Sequence, residues 1–354
     1  MNLKERILAV LHHQEPDFVP CVYQEGHIPT GSLLRELRNK GLALCLQPEV
    51  VWSEIPNVSV ESRVEGRTTY RTYHTPAGKV RDIVTSTSLG IGLRTTWTIE
   101  HMIKSVQDYD VVEFILKETI YHYDPEPFLE AQHWLGDDGI VRANVAVSPL
   151  QQMLITYLGL ERFSIDMYRH PKEFNELYEI IKEKAEEYYK IVSDSPAEVV
   201  ASWENIDGVM TSPRLFEKYC LPFYNKMGHV LHKKGKIYLV HFDGRLNCLK
   251  NLIRQADIDV VESFTPPPIG DLPLREARAL WGKKIVIWTN IPQTILLLGA
   301  NETGKFTREL LRSAAPGDNF ILGIMEMVPP HSEDGLRAAI ETVVQYGRYP
   351  VSPC

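Results

Sequence analysis

The stretch Tyr238-Leu239-Val240-His241-Phe242-Asp243-Gly244 is an apolar strand that stops on a His-x-Asp-Gly. A strand built for packing alone has no reason to end in an imidazole and a carboxylate two residues apart. Side chains at i and i+2 of a strand point the same way, so His241 and Asp243 are expected to converge on one small volume. Gly244 then lets the backbone turn sharply. The segment reads as part of a functional site.

Working outward, the chain downstream of about residue 136 alternates strand and helix. Ile140–Ala146 is strand-like, and residues 171–193 form a long charged amphipathic helix. Short apolar strands follow at Glu198–Trp203, Ile237–Val240, Asp259–Val261, Lys284–Trp288 and Asn319–Leu322. Helical patterns separate them at 214–234, 246–255, 272–281, 303–315 and 333–347. Repeated βα units imply a parallel sheet, closed as a (β/α)8 barrel or open and doubly wound. No GxGxxG or GxxxxGK[ST] is present, which removes the usual nucleotide signature of the open form. Successive strands instead run into polar residues: Glu204-Asn205, His241, Glu262, Thr289-Asn290 and, after Leu322, Glu326. Barrels assemble sites from the C-terminal ends of different strands in this way. The expected fold is α/β, a (β/α)8 TIM barrel with an N-terminal β-meander decoration. A single domain is expected over 1–354, with the meander inserted at 57–87 and regular βα units over 136–350.

The N-terminal third is less regular. A helix is expected near residues 2–14 and a strand at Phe18–Tyr23. Period-2 alternation marks Val58–Glu61 and Thr68–Tyr73, with a turn at Pro76-Ala77-Gly78.

Composition sets the outer bounds. The 354 residues are 44% hydrophobic and 24% charged, as in a globular protein with a large core. A formal charge of −8 argues against a nucleic-acid or anionic-membrane partner. No run reaches the ~18 consecutive apolar residues that suggest a membrane span, and the N-terminal helix is too interrupted for a signal peptide. Five scattered cysteines (Cys21, Cys45, Cys220, Cys248, Cys354) show no metal or disulfide spacing, so a reduced, cytoplasmic location is expected. The long N-terminal meander offers a surface for a homodimer.

Several stretches resemble the uroporphyrinogen decarboxylase superfamily, which holds porphyrinogen decarboxylases and corrinoid-dependent methyltransferases. They are Thr75-Pro76-Ala77-Gly78 with Ile103–Tyr109, Ser212–Phe216 with Leu221-Pro222, His241-Phe242-Asp243-Gly244, Thr289-Asn290-Ile291-Pro292, and Ile321-Leu322-Gly323 through Val328-Pro329-Pro330, closed by Tyr346–Pro350. They occur in the family's order. The resemblance implies a barrel with its site at the C-terminal mouth.

The porphyrinogen decarboxylases of that family grip substrate carboxylates with arginines after the first strand. Here that place reads Tyr23-Gln24-Glu25-Gly26-His27, which would repel such a substrate. The coenzyme M methyltransferases bind zinc with His-x-Cys and a later Cys. Alignment puts His241 on the histidine, Asp243 on the first cysteine and Glu326 on the second. A histidine with carboxylates still binds zinc, at about 2.0–2.2 Å, though oxygen-rich ligation also suits other divalent ions. The chain looks more like the O-demethylase methyltransferases, which use Glu and His.

The resemblance thus implies a metal-dependent methyltransferase, moving a methyl group from a small methoxylated or methylamine-type donor to a corrinoid. With no cobalamin motif in the chain, the corrinoid is expected on a partner protein. His241, Asp243 and Glu326 are the expected metal ligands, zinc being the expected ion. Glu204, Glu262 and Asp243 are candidates for proton handling, and Tyr23, His27 and Asn290 for substrate contact. Simpler roles compete: Glu204-Asn205 reads equally as a helix cap, Glu262 as a cap for the proline-rich loop after it, Asn290 as a turn residue, and Tyr23, Glu25 and His27 as a solvated loop. Glu326, between Met325 and Met327, sits where an unpaired charge would cost several kcal/mol. The alternatives for the whole chain are a metal-independent decarboxylase of a small carboxylated substrate, or a non-catalytic binding protein. The pairs His12-His13 and His229/His232 near helix ends are read as surface residues complementing helix dipoles.

Overall fold

A computed structural model describes residues 1–88 and 94–352. Cys354 lies outside them; Cys21, Cys45, Cys220 and Cys248 are free thiols. Eight parallel strands close a barrel: β1 (Cys21–Gln24), β2 (Leu42–Leu46), β3 (Gly139–Val145), β4 (Val199–Ser202), β5 (Ile237–His241), β6 (Val260–Phe264), β7 (Val286–Asn290) and β8 (Phe320–Ile324). Neighbours in sequence are neighbours around the wall, and β8 returns to β1 through Cys21↔Leu322.

Alternation divides each strand between two cores. In β5, Tyr238 and Val240 face outward to the helices, while Ile237 and Leu239 face inward. Val22, Ala43, Cys45, Val199, Val260 and Trp288 share that inner core. Its floor is closed by the helix Leu3–Leu11, which is started by a reciprocal Asn2–Glu5 capping box. Ile7, Val10 and Leu11 from this helix pack up into the barrel. The apolar spacing of that first helix is explained by this plug rather than by a surface role.

Strand β2 and the two-stranded ribbon Val51–Glu54/Ile120–Tyr123 were not expected, and β1 and β2 precede the 136–350 stretch assigned to regular units. The meander is larger than 57–87. Four antiparallel strands, Ser59–Glu65, Thr68–Thr75, Gly78–Ser88 and Arg94–Glu100, form a separate sheet inserted between β2 and β3. It rests on the helix Asp108–Glu118, with Tyr73 and Val80 buried. Several barrel strands run further than expected: β6 to Phe264, β7 to Asn290 and β8 to Ile324. The expected helix over 214–234 is broken by a widened π turn at Phe216–Cys220. Pro222, which has no N–H to return to a carbonyl four residues back, stands just past it. Of the histidine pairs, His12 and His13 bond Glu198 and Asn319, and His232 bridges Asp257 and Asp259, so they brace neighbouring elements.

Candidate metal centre

The site grows from one cross-strand pair. His241, the last residue of β5, lies opposite Glu262 of β6. Both are buried, and Nδ1 of the imidazole is 2.5 Å from Oε2 of Glu262. The other oxygen of Glu262 accepts a 2.7 Å hydrogen bond from the guanidinium of Arg142, which projects inward from β3 and is also fully buried. Arg142 further donates to the amide oxygens of Gln24 and Gln47. The ring of Trp203 caps this chain: it lies 4.9 Å from the guanidinium carbon and 4.7 Å from the imidazole.

The electrostatics follow from that order. Burial works against charge on Glu262, but the adjacent Arg142 and His241 hold its pKa down at about 2. Burial likewise lowers the pKa of His241, and the charge of Glu262 with contacts to Glu262 and Asp243 outweighs it, raising the pKa to about 9. Because Nδ1 is committed to Glu262, Nε2 is the nitrogen presented to the barrel mouth. It lies 3.8 Å from Oδ2 of Asp243. Glu326, just after β8, completes the group: ligand atoms of His241, Asp243 and Glu326 all lie within 4.8 Å of one another. Burial pushes the Glu326 carboxyl up to about 7.

A bulge follows this pair. Register slips between Glu262 and Phe264, and Ser263 takes φ +59°. Glu262 points inward by ordinary alternation with Val260, and the slip after it turns Phe264, two residues on, outward onto Trp281. The strained residue sits beside the functional one, as strained backbone often does.

The donor set fits a divalent cation. It supplies one imidazole nitrogen with its far side held by a carboxylate, the arrangement that orients metal-bound histidines. It adds two carboxylates, and Glu326 accepts no hydrogen bond from another described residue. This group is able to bind a metal.

The other expected residues divide. Asp243 and Glu326 open into a cleft of about 210 Å³ with Thr265, Asn290, Gln293 and Thr294; no lysine or arginine lines it. Oδ1 of Asn290 accepts from the Met325 N–H. His27 receives the Gln24 amide at 3.2 Å, and burial lowers its pKa to about 4. Tyr23 lies in the outer core between wall and helices. Glu204 also points to the outer side. Its oxygens accept from the Ser148 N–H at 2.8 Å and hydroxyl at 2.6 Å, and from the Ser202 hydroxyl at 2.5 Å. Burial raises its pKa, against those hydrogen bonds. The structure does not bring Glu204 or Tyr23 to the metal group, and it places Glu262 behind the histidine.

Arg142 is the residue that sequence reasoning missed. Its signal was present: a lone arginine at an inward position of Gly139-Ile140-Val141-Arg142-Ala143-Asn144-Val145 is hard to bury without a partner.

A closed parallel barrel whose ionisable groups gather at one rim is an enzyme fold with its site at the strand ends. The uroporphyrinogen decarboxylase (URO-D) family matches residues 145–346, more than half of the sequence, and the chain belongs to this family. A curated relative, uroporphyrinogen decarboxylase of Myxococcus xanthus (strain DK1622), is 26% identical over 194 residues. That match covers 54% of this chain and 52% of the relative, so the chain spans about half the length of the curated relative it matches. Among solved structures, a methyltransferase from Methanosarcina mazei superposes with a TM-score of 0.63 over 98% of this chain and 99% of the other, at 13% identity. That likeness is one of fold. No helix among the described residues is long and apolar enough to cross a membrane.

Proposed function

We propose that this chain is a metal-dependent methyltransferase, moving a methyl group from a small methoxylated or methylamine-type donor to a corrinoid carried by a partner protein. The observation that carries the reading is the imidazole of His241, turned by Glu262 so that Nε2 faces two carboxylates. His241, Asp243 and Glu326 would hold the cation, with zinc the expected ion. When bound, it supplies Lewis-acid polarisation of the donor's oxygen or nitrogen, whose bond to the methyl carbon must break. That atom keeps the electron pair and takes a proton, while the methyl group passes to the acceptor.

The chain's own residues prepare this step. Arg142 and Glu262 fix the imidazole from below. Asn290, its carbonyl oxygen tied to Met325, keeps its amide NH2 as a donor toward a substrate oxygen. Asp243 and Glu326 make the cleft acidic, which favours a neutral or cationic donor over a polycarboxylate. For the same reason porphyrinogen decarboxylation fits poorly. A metal-independent decarboxylase of a small acid is the second reading, favoured by Glu326 holding its proton up to about pH 7 beside a protonated His241.

The test is metal content of the purified protein by plasma mass spectrometry, before and after chelation. It is followed by methyl transfer to cob(I)alamin from a panel of methoxylated aromatics and methylamines. Stoichiometric metal, lost with transfer and restored by zinc, supports the methyltransferase. Metal-free protein that releases CO2 from small carboxylic acids would overturn it.

A further inference from the structure

The inserted sheet ends in an edge strand, Ser59–Glu65, whose residues are all exposed and which has a neighbour on one side only. Gly66-Arg67 joins it to the next strand as a two-residue hairpin loop, and Glu65 pairs with Thr68. In such a hairpin the closing pair exchanges both backbone hydrogen bonds, and the direction alternates from there. Glu65, Arg63, Glu61 and Ser59 thus bond inward. The backbones of Val60, Ser62 and Val64 face away, and none of them bonds another element among the described residues.

Open edges invite pairing, and proteins usually block them with charge. Here the charges are arranged differently. The strand reads Ser59-Val60-Glu61-Ser62-Arg63-Val64-Glu65, and it is complementary to itself about Ser62. Turned antiparallel about that residue, Glu61 falls opposite Arg63 and Val60 opposite Val64. Sliding the pair by two residues sets Glu61 against Glu61 one way, or Arg63 against Arg63 the other. Of these registers, the one about Ser62 alone sets Glu61 against Arg63 twice, with Glu65 facing Ser59, and in it the free backbones of Val60, Ser62 and Val64 meet.

The side chains are available for it. Glu61 and Arg63 are 76% and 74% exposed at their side chains, and Val60 and Val64 are 42% and 67% exposed. Among the described residues of one chain, Arg63 pairs with Glu65 two residues on, and Glu61 with His74 at 3.4 Å.

We propose that two copies of this chain pair through the Ser59–Glu65 edge, antiparallel about Ser62, joining their inserted sheets into one continuous sheet across a two-fold axis. Each interface residue then meets its complement twice, as isologous contacts require. The Val60 and Val64 side chains form a small apolar cluster on one face, and the crossed Glu61–Arg63 pairs lie on the other. This assembly does not depend on the reaction proposed for the barrel.

Sedimentation velocity on the full chain over a range of concentrations tests it. Wild type is expected to run as a dimer that dissociates on dilution. Glu61→Arg alone and Arg63→Glu alone each set like charges opposite, and should weaken association about tenfold or more. The double reversal, Glu61→Arg with Arg63→Glu, restores opposite charges and should restore the dimer. Ser62→Pro, tolerated on an open edge, removes a central hydrogen bond and should give a folded monomer by circular dichroism. A wild type monomeric throughout overturns the proposal. So does a dimer indifferent to the single reversals, or a folded double reversal that stays as weak as either single change.

Discussion

The two faces of the barrel wall each bury a glutamate beyond reach of solvent, and they treat it in opposite ways. On the inner face Glu262 lies between Arg142 and His241 and is held as a carboxylate far below its usual range. On the outer face Glu204 lies among hydroxyls of Ser148 and Ser202 and is pushed the other way by burial. Each comes after a short apolar run, Glu262 within its strand and Glu204 two residues past the end of its own. The difference is one of strand parity: Glu262 stands two residues from inward-facing Val260, and Glu204 three residues from inward-facing Ala201. The inner face stores charge and aims it, while the outer face uses a similar group as packing.

The largest effect expected on this contrast is loss of the metal. His241→Ala and Glu326→Gln should each abolish metal retention with the fold intact, measured by plasma mass spectrometry and circular dichroism. Glu204→Gln should leave retention unchanged. Full occupancy in either of the first two variants would dismiss the ligand set.

Next in size is stability. Glu262→Gln leaves the Arg142 guanidinium buried without its carboxylate and removes the charge that keeps His241 protonated, at a cost of about 3–5 kcal/mol in denaturant unfolding. Glu204→Gln keeps shape and hydrogen bonding, at about 1–2 kcal/mol. Equal losses would mean that the two faces do not differ as described. Glu262→Gln should also weaken metal binding about 10–100-fold, since it frees the imidazole to turn.

The pH response sharpens the same point. The folded pKa of His241 is raised from 6.5 to about 9, so its contribution to stability is complete below 6.5 and is lost as pH climbs through 9. The pKa of Glu262 is lowered from 4.5 to about 2, so its contribution is complete above 4.5 and is lost as pH falls through 2. Metal binding must displace the His241 proton below about 9 and the Glu326 proton below about 7. Affinity should therefore rise with pH from 6 to 9, more steeply below 7. Calorimetry in buffers of different ionisation enthalpy counts the protons released, and a flat profile would remove His241 from the ligand set.

The smallest effect is local. Ser263→Gly relaxes a left-handed residue and should change stability by about 1 kcal/mol or less in the favourable direction. A large loss would show that the left-handed conformation at Ser263 carries no strain for glycine to relieve.

Much of this was legible in the chain. The rhythm of strands and polar ends gave the barrel, and His241-Phe242-Asp243 announced two converging groups. Glu326 was reached through the spacing of the family resemblance. Strand β2 was hidden because Leu42-Ala43-Leu44-Cys45-Leu46 lacks β-branched residues, and its leucines and alanine suit a helix as well. The separate roles of Glu204 and Glu262 were hidden for another reason. Their faces follow from strand parity, and in strands buried on both sides no residue type marks which alternate set looks into the barrel. Arg142 could be suspected from its own strand, but its partner lies on another strand far along the chain.

The helix Leu3–Leu11 seals the barrel floor with Ile7, Val10 and Leu11. Traffic to the rim therefore has a single doorway. On the proposed reaction, donor and acceptor cannot come from opposite ends and must share one threshold. The small demethylated product must leave past the acceptor, or wait until the acceptor withdraws. Turnover would then be paced by the order of arrivals and departures at the mouth as much as by bond breaking below it.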